Sequence, residues 1–329
     1  MIRSRAGAPR RSGRRHVRRA LGGVRIVGGA VFLAVGTGLM LHVRQVMLRE
    51  VRQAREAACA VRGVLLRPPP ARVDGLATAA AQLSADRGAH AGGDLYEVIS
   101  TEHGVRVVMG DVRGHGLAAV GTVAAVLGSF REAVHDEAEL AGVLTRLDRA
   151  LARHHRARAH AEDTEDFVTV LLLEIAPDGA LHALNCGHPW PYLLSGGRAE
   201  LVAPAEPLPP LGAFPLPGDL PVTPCGRLLP GEALFLHTDG VPDARDAERR
   251  FFPLESVLAE AVRGRPISPH SVLRAVFTQL LRHTRGRPKD DIAILVLRND
   301  RPLTLRGARN GATGHGRPAA DNPPLAPTP

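Results

Sequence analysis

Along the middle of the chain, short apolar runs bounded by Gly, Pro and Asp alternate with longer stretches whose apolar positions recur every three or four residues. Leu95–Ser100 and Val105–Met109, joined by the turn Thr101-Glu102-His103-Gly104, predict a hairpin of two strands. Phe167–Ile175, Ala180–Leu184 and Tyr192–Leu194 predict further strands, separated by Pro177-Asp178-Gly179 and by a Gly-Pro-rich loop. Ala233–His237 and Ile292–Arg298 complete the set. Helical spacing covers Leu117–Val134, Glu139–His155, Leu254–Val262 and Pro269–His283. Hairpin-joined strands and paired helices that do not strictly alternate predict an α+β domain over residues 68–300. Its expected form is an α-β-β-α sandwich of two antiparallel sheets flanked by helices.

Both ends depart from this pattern. Residues 26–43 carry no formal charge and lie between Arg25 and Arg44. At 1.5 Å per residue they would span about 27 Å, close to a hydrocarbon core of ~30 Å. A transmembrane helix is therefore expected over 26–43, behind a basic segment 1–25. From 44 to 67, Val46, Met47, Val51, Ala54, Ala58, Val61 and Leu65 recur at helical spacing until Pro68, Pro69 and Pro70 stop the run. This predicts an amphipathic stalk helix, read either as a strut packed on the body or as a helix that pairs two copies in a homodimer. The tail, 301–329, is rich in Gly, Pro and Ala and is expected to be disordered.

Charge is divided unevenly. Residues 1–67 hold 15 Arg against Glu50 and Glu56, a net of +13, and 301–329 hold four Arg against Asp321, a net of +3. With the whole chain at +9, the body between them is acidic, at −7. An acidic body nearly free of aromatic residues argues against nucleic acid as a partner. Arginines beside an apolar span instead suit anionic membrane lipid. Nine arginines precede the span and six follow it before Pro68, which favours a cytoplasmic N-terminus and an exported body. The chemistry below instead calls for a body on the cytoplasmic side of the cell membrane.

Lys289 is the only lysine, and it lies neither at the end of a glycine-rich loop nor on a predicted nucleotide-binding strand, so P-loop and protein-kinase chemistry are excluded. Cys59, Cys186 and Cys225 are too scattered for a disulfide framework or a structural zinc site.

Acidic residues mark the ends of the predicted strands, most of them beside glycine: Asp94 in AGGDLYE, Asp111 in MGDVRGHG, Asp239 in LHTDGVPD, and Asp290 and Asp291 in KDDIAILVL. Residues without bulk at strand ends let several carboxylates converge, and such a cluster needs cations or protons to be stable. Oxygen donors alone select Mg²⁺ or Mn²⁺ over zinc. Two such ions would activate a water and clamp a phosphoryl group for in-line attack, with no nucleophilic side chain required.

AGGDLYE, GDVRGHG, FVTVLLLEI, NCGHPWPYLL, LLPGEALFLHTDGVPDARD and DDIAILVLR, in this order over residues 64–298, resemble the SpoIIE-like branch of the metal-dependent PPM protein serine/threonine phosphatases. The resemblance implies two Mn²⁺ or Mg²⁺ ions between two antiparallel sheets and hydrolysis of phosphoserine or phosphothreonine. It implies that Asp111 bridges both ions, that Val112 offers its carbonyl to one, and that Asp239 and Asp290 complete the ligand set of the second ion. Asp94 would act directly or through water, and Asp291 ranks below Asp290. The implied substrate is a phosphorylated regulatory protein such as an anti-anti-sigma factor. Relatives often carry Glu where Asp243 stands and Thr where Ala293 stands, differences beside the ligands rather than at them.

Three further residues are weak candidates for substrate contact: His115, suited by an ordinary imidazole to protonate a leaving oxygen, and Asn185 and His188. Each has a bland reading as a residue that fixes its own loop. Cys186 reads as a small apolar residue. The alternative to an enzyme is a non-catalytic membrane adaptor that keeps the fold for docking partners.

Overall fold

A computed structural model of the protein describes residues 33, 35–53, 63–84, 92–114, 116–158, 167–202, 205–264 and 266–302. Helix α1 (residues 35–53) precedes β1 (Arg72–Val73), β2 (Leu76–Leu83), β3 (Asp94–Thr101) and β4 (Gly104–Val112). The paired helices α2 (Leu117–Asp136) and α3 (Leu140–Arg158) follow, then β5 (Val168–Ile175), β6 (Ala180–Cys186), β7 (Tyr192–Ser195), β8 (Arg198–Leu201), β9 (Thr223–Arg227) and β10 (Ala233–His237). Helices α4 (Leu254–Val262) and α5 (Pro269–His283) and strand β11 (Ile292–Asn299) close the domain.

The strands form a six-stranded sheet, β1-β2-β11-β10-β7-β8, and a five-stranded sheet, β3-β4-β5-β6-β9. Every pairing between named strands is antiparallel. Period-two alternation sends each strand's apolar residues to two cores. On β5, Leu171, Leu173 and Ile175 pack between the sheets, while Val168, Val170 and Leu172 pack under α2 and α3. On β11, Ala293, Leu295 and Leu297 face the other sheet, while Ile292, Ile294 and Val296 lie under α4 and α5. Burial on both faces explains why these strands read as continuous apolar runs. The layering is α-β-β-α, as expected.

Arg106, fully buried on β4, fixes a helix pair to its sheet. Its guanidinium meets Glu174 (2.8 Å) and donates to the carbonyls of Val134 (3.1 Å), Glu137 and Ala138 (2.6 Å). A cation thus satisfies carbonyls at the C-terminal end of α2, where the helix dipole favours positive charge.

The expected membrane span is corrected. Residues 26–32 and 34 lie outside the described residues, and among the described residues no helix is long and apolar enough to cross a membrane. The reason is compositional: the uncharged part of α1 ends at Arg44, and Arg49, Glu50 and Arg52 follow on the same helix. Residues 35–43 cover only about 14 Å at 1.5 Å per residue. The stalk is seen in part, as α1 up to residue 53 and a helical turn at 63–65, with 54–62 outside the described residues. Its end docks on the body: the Leu65 carbonyl accepts from Arg131 (2.7 Å), and Leu66 is buried with α2 and α3. The basic segment 1–25 and residues 303–329 also lie outside the described residues.

Candidate metal centre

Antiparallel register brings the acids together. β3 begins with Asp94 and β4 ends with Asp111 and Val112, and Asp94 is the direct cross-strand partner of Asp111. On the facing sheet, β10 ends just before Thr238 and Asp239, and β11 begins just after Asp290 and Asp291. One end of the sandwich therefore collects strand ends from both sheets.

Glycines permit the approach. A Cβ on Gly93 would fall 2.1 Å from the Val112 carbonyl oxygen and 2.7 Å from Asp111 Oδ1. One on Gly92 would fall 1.6 Å from Asp291 Oδ2, and one on Gly240 would fall 1.9 Å from the Asp291 carbonyl oxygen. Gly92 and Gly240 thus sit where the β3 entry and the β10 exit close on Asp291.

Two threonines that the sequence reading passed over tie these ends together. Thr238, fully buried, donates to Asp94 Oδ2 (3.2 Å) and accepts from the Ala293 N–H (2.9 Å). Its hydroxyl therefore stands beside Ala293, where relatives often have threonine. Thr169 accepts from the Asp111 N–H (3.2 Å) and meets His188 Nδ1 (3.0 Å). Both are ordinary strand residues by type, so only their place opposite a strand-end acid could have signalled them.

Asp94 is buried, Asp111 and Asp291 are half-buried, and Asp239 and Asp290 are exposed. Crowding by surrounding protein, and then the charges of Asp290 and Asp243, raise the Asp239 carboxyl above its ordinary range despite its access to solvent. Asp243 also donates its main-chain N–H to the Asp239 carbonyl (2.9 Å).

Among the described residues, no three His, Cys, Asp or Glu side chains stand close enough together to hold one ion. The donor chemistry nevertheless fits a hard divalent cation: Asp94 and Asp111 are directly opposed in register, and Gly93 leaves room beside the Val112 carbonyl oxygen.

The weak candidates separate. His115 lies outside the described residues. Asn185 and His188 are 5% and 3% exposed and grip each other: Asn185 Nδ2 donates to the His188 carbonyl (2.8 Å), and the His188 N–H donates to Asn185 Oδ1 (2.8 Å). They face the interior rather than a substrate. Cys186 is buried in the core under α2 and α3, and its thiol is pushed up to about 12 by burial. Arg113, two residues past Asp111, is exposed. Its N–H donates to the Phe167 carbonyl (2.9 Å), and its guanidinium carbon lies 5.0 Å from the centre of the Phe167 ring. It is an exposed cation two residues along the chain from an expected ligand.

The two-sheet fold flanked by helices is the one seen in PP2C phosphatase domains of known structure. Within that fold class, the family model for Stage II sporulation protein E (SpoIIE) matches residues 101–300, and the chain belongs to that family. The chain is similar to the RsbU and RsbW domains of Rv1364c from Mycobacterium tuberculosis, at 26% identity and a TM-score of 0.55, over 69% of this chain and 61% of that one. It is also similar to the SiaA-PP2C domain of Pseudomonas aeruginosa (18% identity, TM-score 0.57, 78% and 98% covered). A third likeness is to the PP2C phosphatase domain and regulatory fragment of SpoIIE from Bacillus subtilis (17%, 0.53, 68% and 62%). The match thus spans just over three fifths of the length of the first and third of these structures.

Proposed function

We propose that the chain is a protein serine/threonine phosphatase that removes phosphate from a phosphorylated regulatory protein, of the anti-anti-sigma kind. The observation that carries this reading is the opposed pair Asp94 and Asp111, with Asp239 and Asp290 at the facing strand ends. Like charges set directly across a sheet are destabilising unless a cation or a proton lies between them.

Asp111, the Val112 carbonyl, Asp239 and Asp290 would hold two Mn²⁺ or Mg²⁺ ions, with Asp94 adding a carboxylate and Asp291 flanking Asp290. When bound, such ions supply Lewis-acid activation of water and neutralise phosphoryl charge. The chain's own residues do the rest. Thr238 orients the Asp94 carboxylate, and Gly93 leaves the Val112 carbonyl accessible. Arg113, steadied on Phe167, supplies a guanidinium fork for the phosphate oxygens. Exposure of Asp239 and Asp290 leaves the strand ends within reach of a phosphate carried on a protein.

The test is release of phosphate from a phosphoserine protein by the full chain, with Mn²⁺ and with EDTA. Activity that needs Mn²⁺ and is lost in Asp111→Asn and Asp239→Asn supports the reading. Normal Mn²⁺ binding without hydrolysis of phosphoserine or phosphothreonine proteins would favour a docking protein that keeps the fold.

A further inference from the structure

His188 stands where the chain crosses between sheets: β6 ends at Cys186 in the five-stranded sheet, and β7 opens at Tyr192 in the six-stranded one. The reciprocal Asn185 bonds fix its main chain. Its Nδ1 lies 3.0 Å from Thr169 Oγ1 on β5. Its Nε2 is buried, with the His237 main chain on β10 as its neighbour. The ring therefore stands between Thr169 on β5 and the His237 main chain on β10.

The directions of the protons follow from the geometry. The Asp111 N–H donates to Thr169 Oγ1, leaving the threonine's own hydrogen to be placed. His188 Nδ1 is the better acceptor, at 3.0 Å against 3.5 Å for the Asp111 carbonyl oxygen. An accepting Nδ1 requires a neutral ring with its hydrogen on Nε2. Burial, reinforced by the neighbouring His237, pushes the His188 pKa down to about 3, so the neutral form is the one present near pH 7.

We propose that His188 is a positioning residue for the metal centre: through the Thr169 hydroxyl it fixes the main chain at Asp111, and by filling the gap to β10 it sets the sheet carrying Asp111 against the sheet carrying Asp239. The proposal rests on the metal-phosphatase reading. Residues that orient metal ligands from behind typically matter by about 10–100-fold in metal affinity.

The test is calorimetric titration of the full chain with Mn²⁺, together with melting in EDTA. Thr169→Val removes the hydroxyl and keeps the shape, while Thr169→Ser keeps the hydroxyl. His188→Ala removes the acceptor, and His188→Asn returns an amide oxygen near the place of Nδ1. Thr169→Val and His188→Ala are each expected to weaken Mn²⁺ binding by about tenfold or more. The Ser variant should lie close to wild type, and the Asn variant, which restores the acceptor but not the ring that fills the gap, should recover part of the loss. The double variant should bind no more weakly than the poorer single one, because both cut the same chain of bonds. A lowered melting temperature with unchanged Mn²⁺ affinity would make the role purely structural and overturn the proposal, as would fully additive losses. Should His188→Ala fail to fold, the Thr169 pair decides the matter alone. Wild-type chain that binds no Mn²⁺ would bring down the phosphatase reading itself and this proposal with it. Wild-type binding shared equally by every variant would bring down this proposal only.

Discussion

Asp94 and Asp111 face each other across the β3–β4 ladder, the first residue of one strand opposite the next-to-last residue of the other. Cross-strand neighbours lie on one face of a sheet, about 4.5–5.5 Å apart. A hairpin that only stabilised a fold would gain from an opposite charge at one of these places. Here both places hold acids, and at the strand ends of the facing sheet the Asp239 carboxyl is raised by desolvation and then by the charges of Asp290 and Asp243, the pattern that the proposed metal site requires.

The Asp239 shift has a sign that melting curves can read. Its carboxyl is raised in the folded chain, so the folded state holds this proton more tightly than the unfolded one. The associated stability is present below the ordinary carboxylate range and is lost as pH rises through the raised value. In EDTA, the wild-type melting temperature is expected to fall across this range, and Asp239→Asn should flatten that part of the profile. Saturating Mn²⁺ should reverse the fall in wild type. An identical pH profile for wild type and Asp239→Asn would contradict the expectation.

Gly93→Ala and Gly240→Ala test the close approaches. Each Cβ would meet a carbonyl oxygen, at 2.1 Å and 1.9 Å, and backbone would have to move. Activity is expected to drop by about 100-fold, the effect of a displacement of roughly 1 Å in a catalytic array. Gly128→Ala, on α2 with nothing within 4 Å, should leave activity unchanged and add about 0.5–1 kcal/mol of stability. Urea unfolding alongside the phosphatase assay separates the cases.

Arg113→Ala should raise KM for the phosphoprotein about tenfold, in line with the loss of a charge-assisted hydrogen bond of about 1.5 kcal/mol, and leave Mn²⁺ affinity unchanged. Arg113→Lys should recover part of the loss, since a point charge lacks the planar fork. Steady-state kinetics beside calorimetry read both quantities.

Arg106→Ala leaves Glu174 and three carbonyls without their buried cation, and it should cost about 3–5 kcal/mol in urea unfolding. Glu174→Gln, which keeps a hydrogen-bond acceptor, should cost less.

How much of this was legible depended on side-chain type. β10, α4 and α5 run over the very residues that the pattern predicted, because continuous apolar strands and helical spacing leave little choice. β2 was missed. Its sequence Leu-Ala-Thr-Ala-Ala-Ala-Gln-Leu has weak strand propensity, and it is a strand because all eight residues pair along β11. β8 and β9 were missed as short edge strands whose residues are mostly outside the core. The apolar run ending at Val43 read as a span because the charges beyond it were assigned to a separate stalk, whereas in α1 they lie on the same helix. The acids were legible from their glycine neighbours. Thr169, Thr238 and the inward turn of His188 were not, because their roles arise from pairing between segments far apart in the chain.

The most direct test of the account is a calorimetric titration of the metal-free chain with Mn²⁺, beside Asp111→Asn. Wild type is expected to bind two ions, and the variant to lose binding together with phosphate release from a phosphoserine protein. Undiminished Mn²⁺ binding by Asp111→Asn, or none by the wild-type chain, would contradict it.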